Sequence, residues 1–142
     1  MHRTQMIFPL AALVALTFGV GFAMLRLRMR AVRKGELRPQ YFLLNRGGKP
    51  PAYLAQVEQN YLNLLELPLL FYVLGLAAYV SDAVNAWQVG LAWAFVATRI
   101  AHTLVHTRSN DLRGRRRAFL AGALVLMIAW VSFLGELLSR MV

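Results

Sequence analysis

Four runs of predominantly apolar residues divide the chain, at residues 7–25, 60–80, 86–106 and 118–138. A bilayer core about 30 Å thick is crossed by roughly 20 such residues in a helix. Lipid offers no partner to an open backbone group, so a spanning run must be a helix or a strand of a closed barrel. Barrel strands are about half this length and alternate in polarity, which these runs do not. The expectation is therefore an all-α fold: an integral membrane four-helix bundle forming one domain over residues 1–142. Composition agrees. The chain is 58% hydrophobic and 15% charged, whereas soluble domains are near 45–50% and about 25%. Too few charges remain to coat a water-facing surface, and too many apolar residues are present for disorder. The absence of cysteine excludes disulfide scaffolds, zinc–thiolate sites and thiol nucleophiles.

A net charge of +10 raises the question of nucleic acid. The positions of the charges argue against it, because they lie between the apolar runs. Arg26, Arg28, Arg30, Arg33, Lys34, Arg38, Arg46 and Lys49 fill the first connection, against Glu36 alone. Arg108, Arg113, Arg115, Arg116 and Arg117 fill the third, against Asp111. The second, residues 81–85, has none, and the termini carry only Arg3 and Arg140. Basic loops stay on the cytoplasmic side, so the first and third connections are expected inside and both termini outside. Positive charges follow the first apolar run rather than precede it, so it does not read as a cleaved signal peptide. Arg115, Arg116 and Arg117 read as headgroup anchors at the inner leaflet.

Polar side chains within a membrane helix are costly and usually face the bundle interior. On the second helix Gln56, Gln59, Asn60, Asn63 and Glu66 fall within an arc of about 120° at 100° per residue. Pro68 follows and can kink the helix above them. On the third, Arg99, His102, His106, Asn110 and Arg113 fall within about 80° if the helix continues to Arg113, with Gly114 as a natural stop. Glu66 and Arg99 lie at similar depth on helices joined by a short turn. They are expected to approach each other, since pairing relieves much of the cost of an isolated charge. That pair has a purely structural reading as well as a functional one, as do Asn60 and Asn63, which can hydrogen-bond helices together. His102 and His106 at i and i+4 could ligate a metal, but two histidines without a third ligand make no site, and no metal is expected.

Arginine, histidine, asparagine and glutamine donors beside one carboxylate and apolar walls suit two guests. One is a small anion from the cytosol and the other a lipophilic molecule from the bilayer. Arginine near a thiol also favours the thiolate, so a thiol cofactor could be activated without a protein cysteine. Four short helices enclose little volume, and a polar cleft open to lipid is unfavourable, so self-association in a closed ring is expected.

Two segments resemble the MAPEG family (membrane-associated proteins in eicosanoid and glutathione metabolism), and the resemblance extends over nearly the whole chain. The first runs Asn-Tyr-Leu-Asn-Leu-Leu-Glu-Leu-Pro-Leu-Leu-Phe-Tyr over residues 60–72, with Asn63, Glu66 and Pro68 in the places of that family's second-helix pattern. The second, residues 99–113, is similar to the third-helix segment of the leukotriene-forming synthases. The resemblance implies a homotrimer binding glutathione, as co-substrate, between subunits on the cytoplasmic side. Arg113 falls on the arginine thought to stabilise the glutathione thiolate, and Arg99, Asn63 and Glu66 on residues lining that site. His102 and His106 stand where the synthases have tyrosines. Gln59 stands where many members have an arginine that grips glutathione, and Leu67 where a tyrosine follows the glutamate. The compact form of the chain implies a bacterial inner-membrane location.

The first functional reading is accordingly a glutathione-dependent transferase or peroxidase acting on lipophilic electrophiles. Arg113 would be its catalytic residue, and Gln59, Asn63, Glu66, Arg99, His102 and His106 would hold the tripeptide. Its partners would be lipids, a lipophilic small molecule and further copies of itself. The family also contains non-enzymatic members, so a lipid-binding or scaffold protein of the same fold is the second reading. A small proton-coupled exporter using Glu66 is the third.

Overall fold

The computed structural model describes residues 2–141, so residues 1 and 142 of the expected domain lie outside them. These residues form two short helices, α1 (His2–Gln5) and α3 (Tyr41–Leu44), and four long ones: α2 (Ile7–Arg33), α4 (Ala52–Val80), α5 (Ala86–Thr107) and α6 (Leu112–Ser139). No strand occurs among the described residues. Each long helix covers one apolar run, but three extend beyond it at the basic end of the bundle. Thus α2 continues to Arg33, α4 starts at Ala52 rather than near residue 60, and α6 starts at Leu112 rather than 118.

The boundaries have local causes. Gly35 sits at φ +70° after α2, a conformation that glycine adopts without strain. The amides of Gly35 and Glu36 then reach back to the carbonyls of Val32 and Ala31, each at 3.0 Å, closing the helix in a Schellman motif. After α4, Asp82 takes the same left-handed conformation, and Asn85 opens α5 by accepting from the Gln88 amide at 2.9 Å. Pro68 lies inside α4 without ending it.

Helix α5 is the centre of the bundle and packs against α2, α4 and α6, while α4 also packs on α2 and α6. The core is drawn from all four, with Leu10 and Leu13 of α2, Leu64 and Phe71 of α4, Phe95 and Val96 of α5, and Leu126 and Phe133 of α6. Phe71 and Phe95 meet at 4.7 Å between ring centroids. Gly75 lets α2 approach α4, since a Cβ there would lie 2.7 Å from a Leu10 methyl. A second small cluster, Ala31, Leu37, Tyr41 and Leu54, ties the first connection to α4 at the basic end.

The outer surface is apolar. Phe18, Phe22, Leu65, Leu69, Leu124 and Val131 are among many large hydrophobic side chains left exposed, the pattern of a surface solvated by lipid rather than water. Three stretches, Arg3–Arg33, Ala52–Val80 and Leu112–Ser139, are long and apolar enough to cross a membrane. The central helix α5 is long enough, at about 33 Å for 22 residues, but less apolar. The reason is that Gln88, Arg99, His102, Thr103 and His106 point from it into the bundle, where protein rather than lipid surrounds them.

Candidate functional site

Two groups of polar residues form at the basic half of the bundle, on different faces. The first lies in the seam between α5 and α6. Arg99 is 1% exposed, His102 4% and His106 0%. The Arg99 guanidinium is held between Phe95 and Phe119, whose ring centroids are 5.2 and 5.4 Å from its central carbon. One terminal nitrogen donates to the carbonyls of Ala118 and Phe119 of α6, both at 3.2 Å. It fits because position 122 is glycine: a Cβ there would lie 2.1 Å from that nitrogen. His102 Nδ1 donates to the Arg115 carbonyl at 3.2 Å; a carbonyl only accepts, which fixes the proton on Nδ1. His106 stacks edge-on against His102 at 5.5 Å. Arg115 donates from Nη1 to Asn110 Oδ1 at 2.9 Å.

The seam is rich in donors, and among the described residues its hydrogen-bond and ion-pair partners include no acid. Arg99 Nε and Nη1, His102 Nε2, both His106 ring nitrogens and Arg115 Nε are buried with no partner among the described residues. Buried polar groups are ordinarily hydrogen-bonded, so this density of unused capacity marks the seam as the most polar-hungry part of the interior.

The second group lies on α4. Its expected stripe divides. Asn60 is fully buried and exchanges hydrogen bonds with Thr103 of α5 at 3.3 and 3.4 Å. Gln56 and Asn63 are half-buried, and Gln59 and Glu66 are exposed. Glu66 projects among the exposed Leu62, Leu65, Leu69 and Leu70. Beside Gln59, a groove of about 480 Å³ opens between α2, the first connection and α4. There Arg28 Nη2 pairs with Glu58 Oε1 at 2.8 Å.

Three expectations are corrected. Glu66 and Arg99 do not pair within one chain: Arg99 is turned towards α6 and Glu66 outward. The ion pairs among the described residues are Arg3–Asp82, Arg28–Glu58 and Arg140–Glu136. The third apolar helix does not reach Arg113. It ends at Thr107, and Asn110 turns the chain at φ +49°. Asp111 then caps a new helix by accepting from the Arg113 and Gly114 amides at 3.4 and 2.6 Å. Arg113 thus stands exposed on the first turn of α6, and Gly114 is inside that turn rather than a stop. Finally, Arg115 departs from the expected row of headgroup anchors: its half-buried side chain turns into the seam, while Arg116 and Arg117 are exposed.

Sequence reading overlooked Thr103, Arg115 and Gly122. Gly122 had a detectable signal, because Ala118 and Gly122 form the small-x-x-x-small spacing that lets membrane helices approach closely. Arg115 had none, since its neighbours in the basic run are exposed.

Among the described residues no group of three or more histidines or acids could hold a metal. The polar groups are suited instead to an anion with amide-like hydrogen-bonding capacity: guanidinium and imidazole donors on α5 and α6, amides and one carboxylate on α4. The sequence matches the family model described as MAPEG family over residues 6–135. Comparison with curated proteins and with solved structures gave no match.

Proposed function

The chain belongs to the MAPEG family of multi-pass membrane proteins, and from that premise we propose a glutathione-dependent transferase or peroxidase working on lipophilic electrophiles between subunits of a homotrimer. The observation that carries the proposal is Glu66, a carboxylate exposed on an apolar face of α4. A charge facing acyl chains costs several kcal/mol, roughly, and such residues almost always face protein or a polar cavity. A neighbouring copy laid on that face would cover Glu66 together with Gln59 and Asn63. Three copies in a ring would satisfy the same face on each.

In that arrangement α4 of one subunit meets the basic start of α6 of the next. Arg113, exposed and anchored through the Asp111 cap, is assigned to the glutathione sulfur. A fixed guanidinium there favours the thiolate and lowers its pKa. The thiolate then attacks an electrophilic carbon presented from the lipid side; the S–C bond forms as the leaving group departs with its electron pair. Gln59 and Asn63 supply amide hydrogen bonds and Glu66 accepts from the ligand's ammonium group. Arg99, His102 and His106 are assigned the inner wall, where the unused N–H groups of Arg99 and His106 suit carboxylates and His102 Nε2, its ring proton held on Nδ1, is left to accept.

Thiolate absorbance on mixing purified protein with glutathione tests the proposal, alongside conjugation to a generic aromatic electrophile. Signal and turnover are expected from the wild type and their loss from Arg113→Ala. Neither thiolate nor conjugate from the wild type would reject it. The exporter reading gains from Glu66 lacking an ion-pair partner among the described residues. It predicts substrate-dependent proton flux in vesicles that Glu66→Gln abolishes.

A further inference from the structure

The end of α2 carries a feature that none of this chemistry uses. Arg26, Arg30 and Arg33 recur at i, i+4 and i+7 and are all exposed, so they share one helix face. Below them on the same side lie Phe18 and Phe22, 64% and 65% exposed. Together with Leu25, Met29 and Lys34, the three arginines line an open groove of about 460 Å³, within the ~300–1,000 Å³ range of small-ligand sites. We propose that this groove docks one anionic phospholipid, its phosphodiester held by Arg26, Arg30 and Arg33 and its acyl chain lying over Phe22 and Phe18.

Depth, charge and shape support this occupant. The apolar part of α2 from Ile7 to Leu25 is about 28 Å long, so Arg26 emerges where the hydrocarbon ends. Arg30 and Arg33 lie about 6 and 10 Å further on, through the headgroup layer, which is roughly 5–7 Å thick on each side. Among the described residues these three arginines and Lys34 make no ion pair. The nearest acid in sequence, Glu36, accepts from the Tyr53 hydroxyl. Arg28, on another face of the helix, is taken by Glu58. Arg30 is steadied over the Tyr53 ring at 5.5 Å, so the face is partly preorganised. Aromatic and aliphatic side chains continuous with the cations suit a ligand that is anionic at one end and hydrocarbon at the other. A soluble polyanion would leave Phe18 and Phe22 unused.

The experiment is a titration of the purified full-length protein in neutral detergent with phosphatidylglycerol or phosphatidylcholine, read as the shift in thermal unfolding midpoint. Phosphatidylglycerol is expected to give a saturable rise that phosphatidylcholine and inorganic phosphate do not. Arg26→Gln/Arg30→Gln/Arg33→Gln should weaken it about 100-fold, roughly fivefold for each arginine. Arg116→Gln/Arg117→Gln, which removes exposed charge from α6 at the same end, should change it less than threefold. The all-lysine variant at 26, 30 and 33 should retain most of the binding. The site is overturned if the two lipids act alike, if inorganic phosphate reproduces the effect, or if the α6 variant loses as much as the α2 variant. The wild-type comparison reads the site without depending on any variant's folding.

Discussion

Replacing Gly122 with alanine should loosen the α5–α6 seam, and the structure gives the size of the effect. The new Cβ would lie 2.1 Å from Arg99 Nη2, 2.7 Å from Thr98 Oγ1 and 2.8 Å from Arg99 Cζ. Contacts of this kind normally exceed 3 Å, so the guanidinium or the helix must move by about an ångström. The guanidinium is confined between Phe95 and Phe119, and moving it breaks its donation to Ala118 and Phe119. Overpacking costs about 1–3 kcal/mol, and loss of hydrogen bonds from a charged donor about 1.5–3 kcal/mol, so about 2.5–6 kcal/mol of destabilisation is expected. Gly135→Ala is the matched control on the same helix, where a Cβ meets nothing within 4 Å. There alanine should stabilise by about 0.5–1 kcal/mol through helix propensity alone. Equilibrium unfolding in mixed micelles measures both. The cost of Gly122→Ala should also shrink in an Arg99→Met background, because the two changes disturb one contact. A Gly122→Ala protein as stable as Gly135→Ala would refute the packing account.

Asn60→Ala should cost about 0.5–1.5 kcal/mol, and a double-mutant cycle with Thr103→Val should recover a coupling near 0.6 kcal/mol, the size typical of interhelical hydrogen bonds in membranes. Asp111→Ala removes the cap of α6 and should cost about 1 kcal/mol; amide exchange should accelerate in residues 112–115 while the middle of α6 stays protected. If Arg113 acts on a thiol, the same change should lower thiolate formation because it frees the turn that carries Arg113. Glu58→Gln should destabilise by about 1 kcal/mol or less, and the loss should diminish in high salt, since the Arg28–Glu58 pair is only partly buried.

The helices were legible because lipid imposes a length and a polarity that no other environment does. Inward orientation on α5 was legible too, since Arg99, His102 and His106 share a narrow arc and all three are buried. The break after Thr107 was not, because polar periodicity continued by coincidence through Asn110 and Arg113. The local signal was Asn110–Asp111, a residue tolerant of positive φ followed by a strong helix cap. The Glu66–Arg99 pairing failed for a different reason. Counting residues gives depth in the bilayer but not rotation about the helix axis. Asn60 and Glu66 are separated by about 120° around α4, too wide for both to face the same neighbour. Once Asn60 bonds Thr103, Glu66 must point away. On α6, which of Arg115, Arg116 and Arg117 turns inward depends on the packing rotation of that helix, which composition does not encode.

Complementation between two defective chains tests the central claim most directly. Chains carrying Glu66→Gln and chains carrying Arg113→Gln are each expected to lose the glutathione thiolate signal when purified alone. If the site joins α4 of one subunit to the start of α6 of another, co-assembly of the two creates some seams with both native residues, and the signal returns in part. A co-assembled sample as silent as either parent would contradict an intersubunit site.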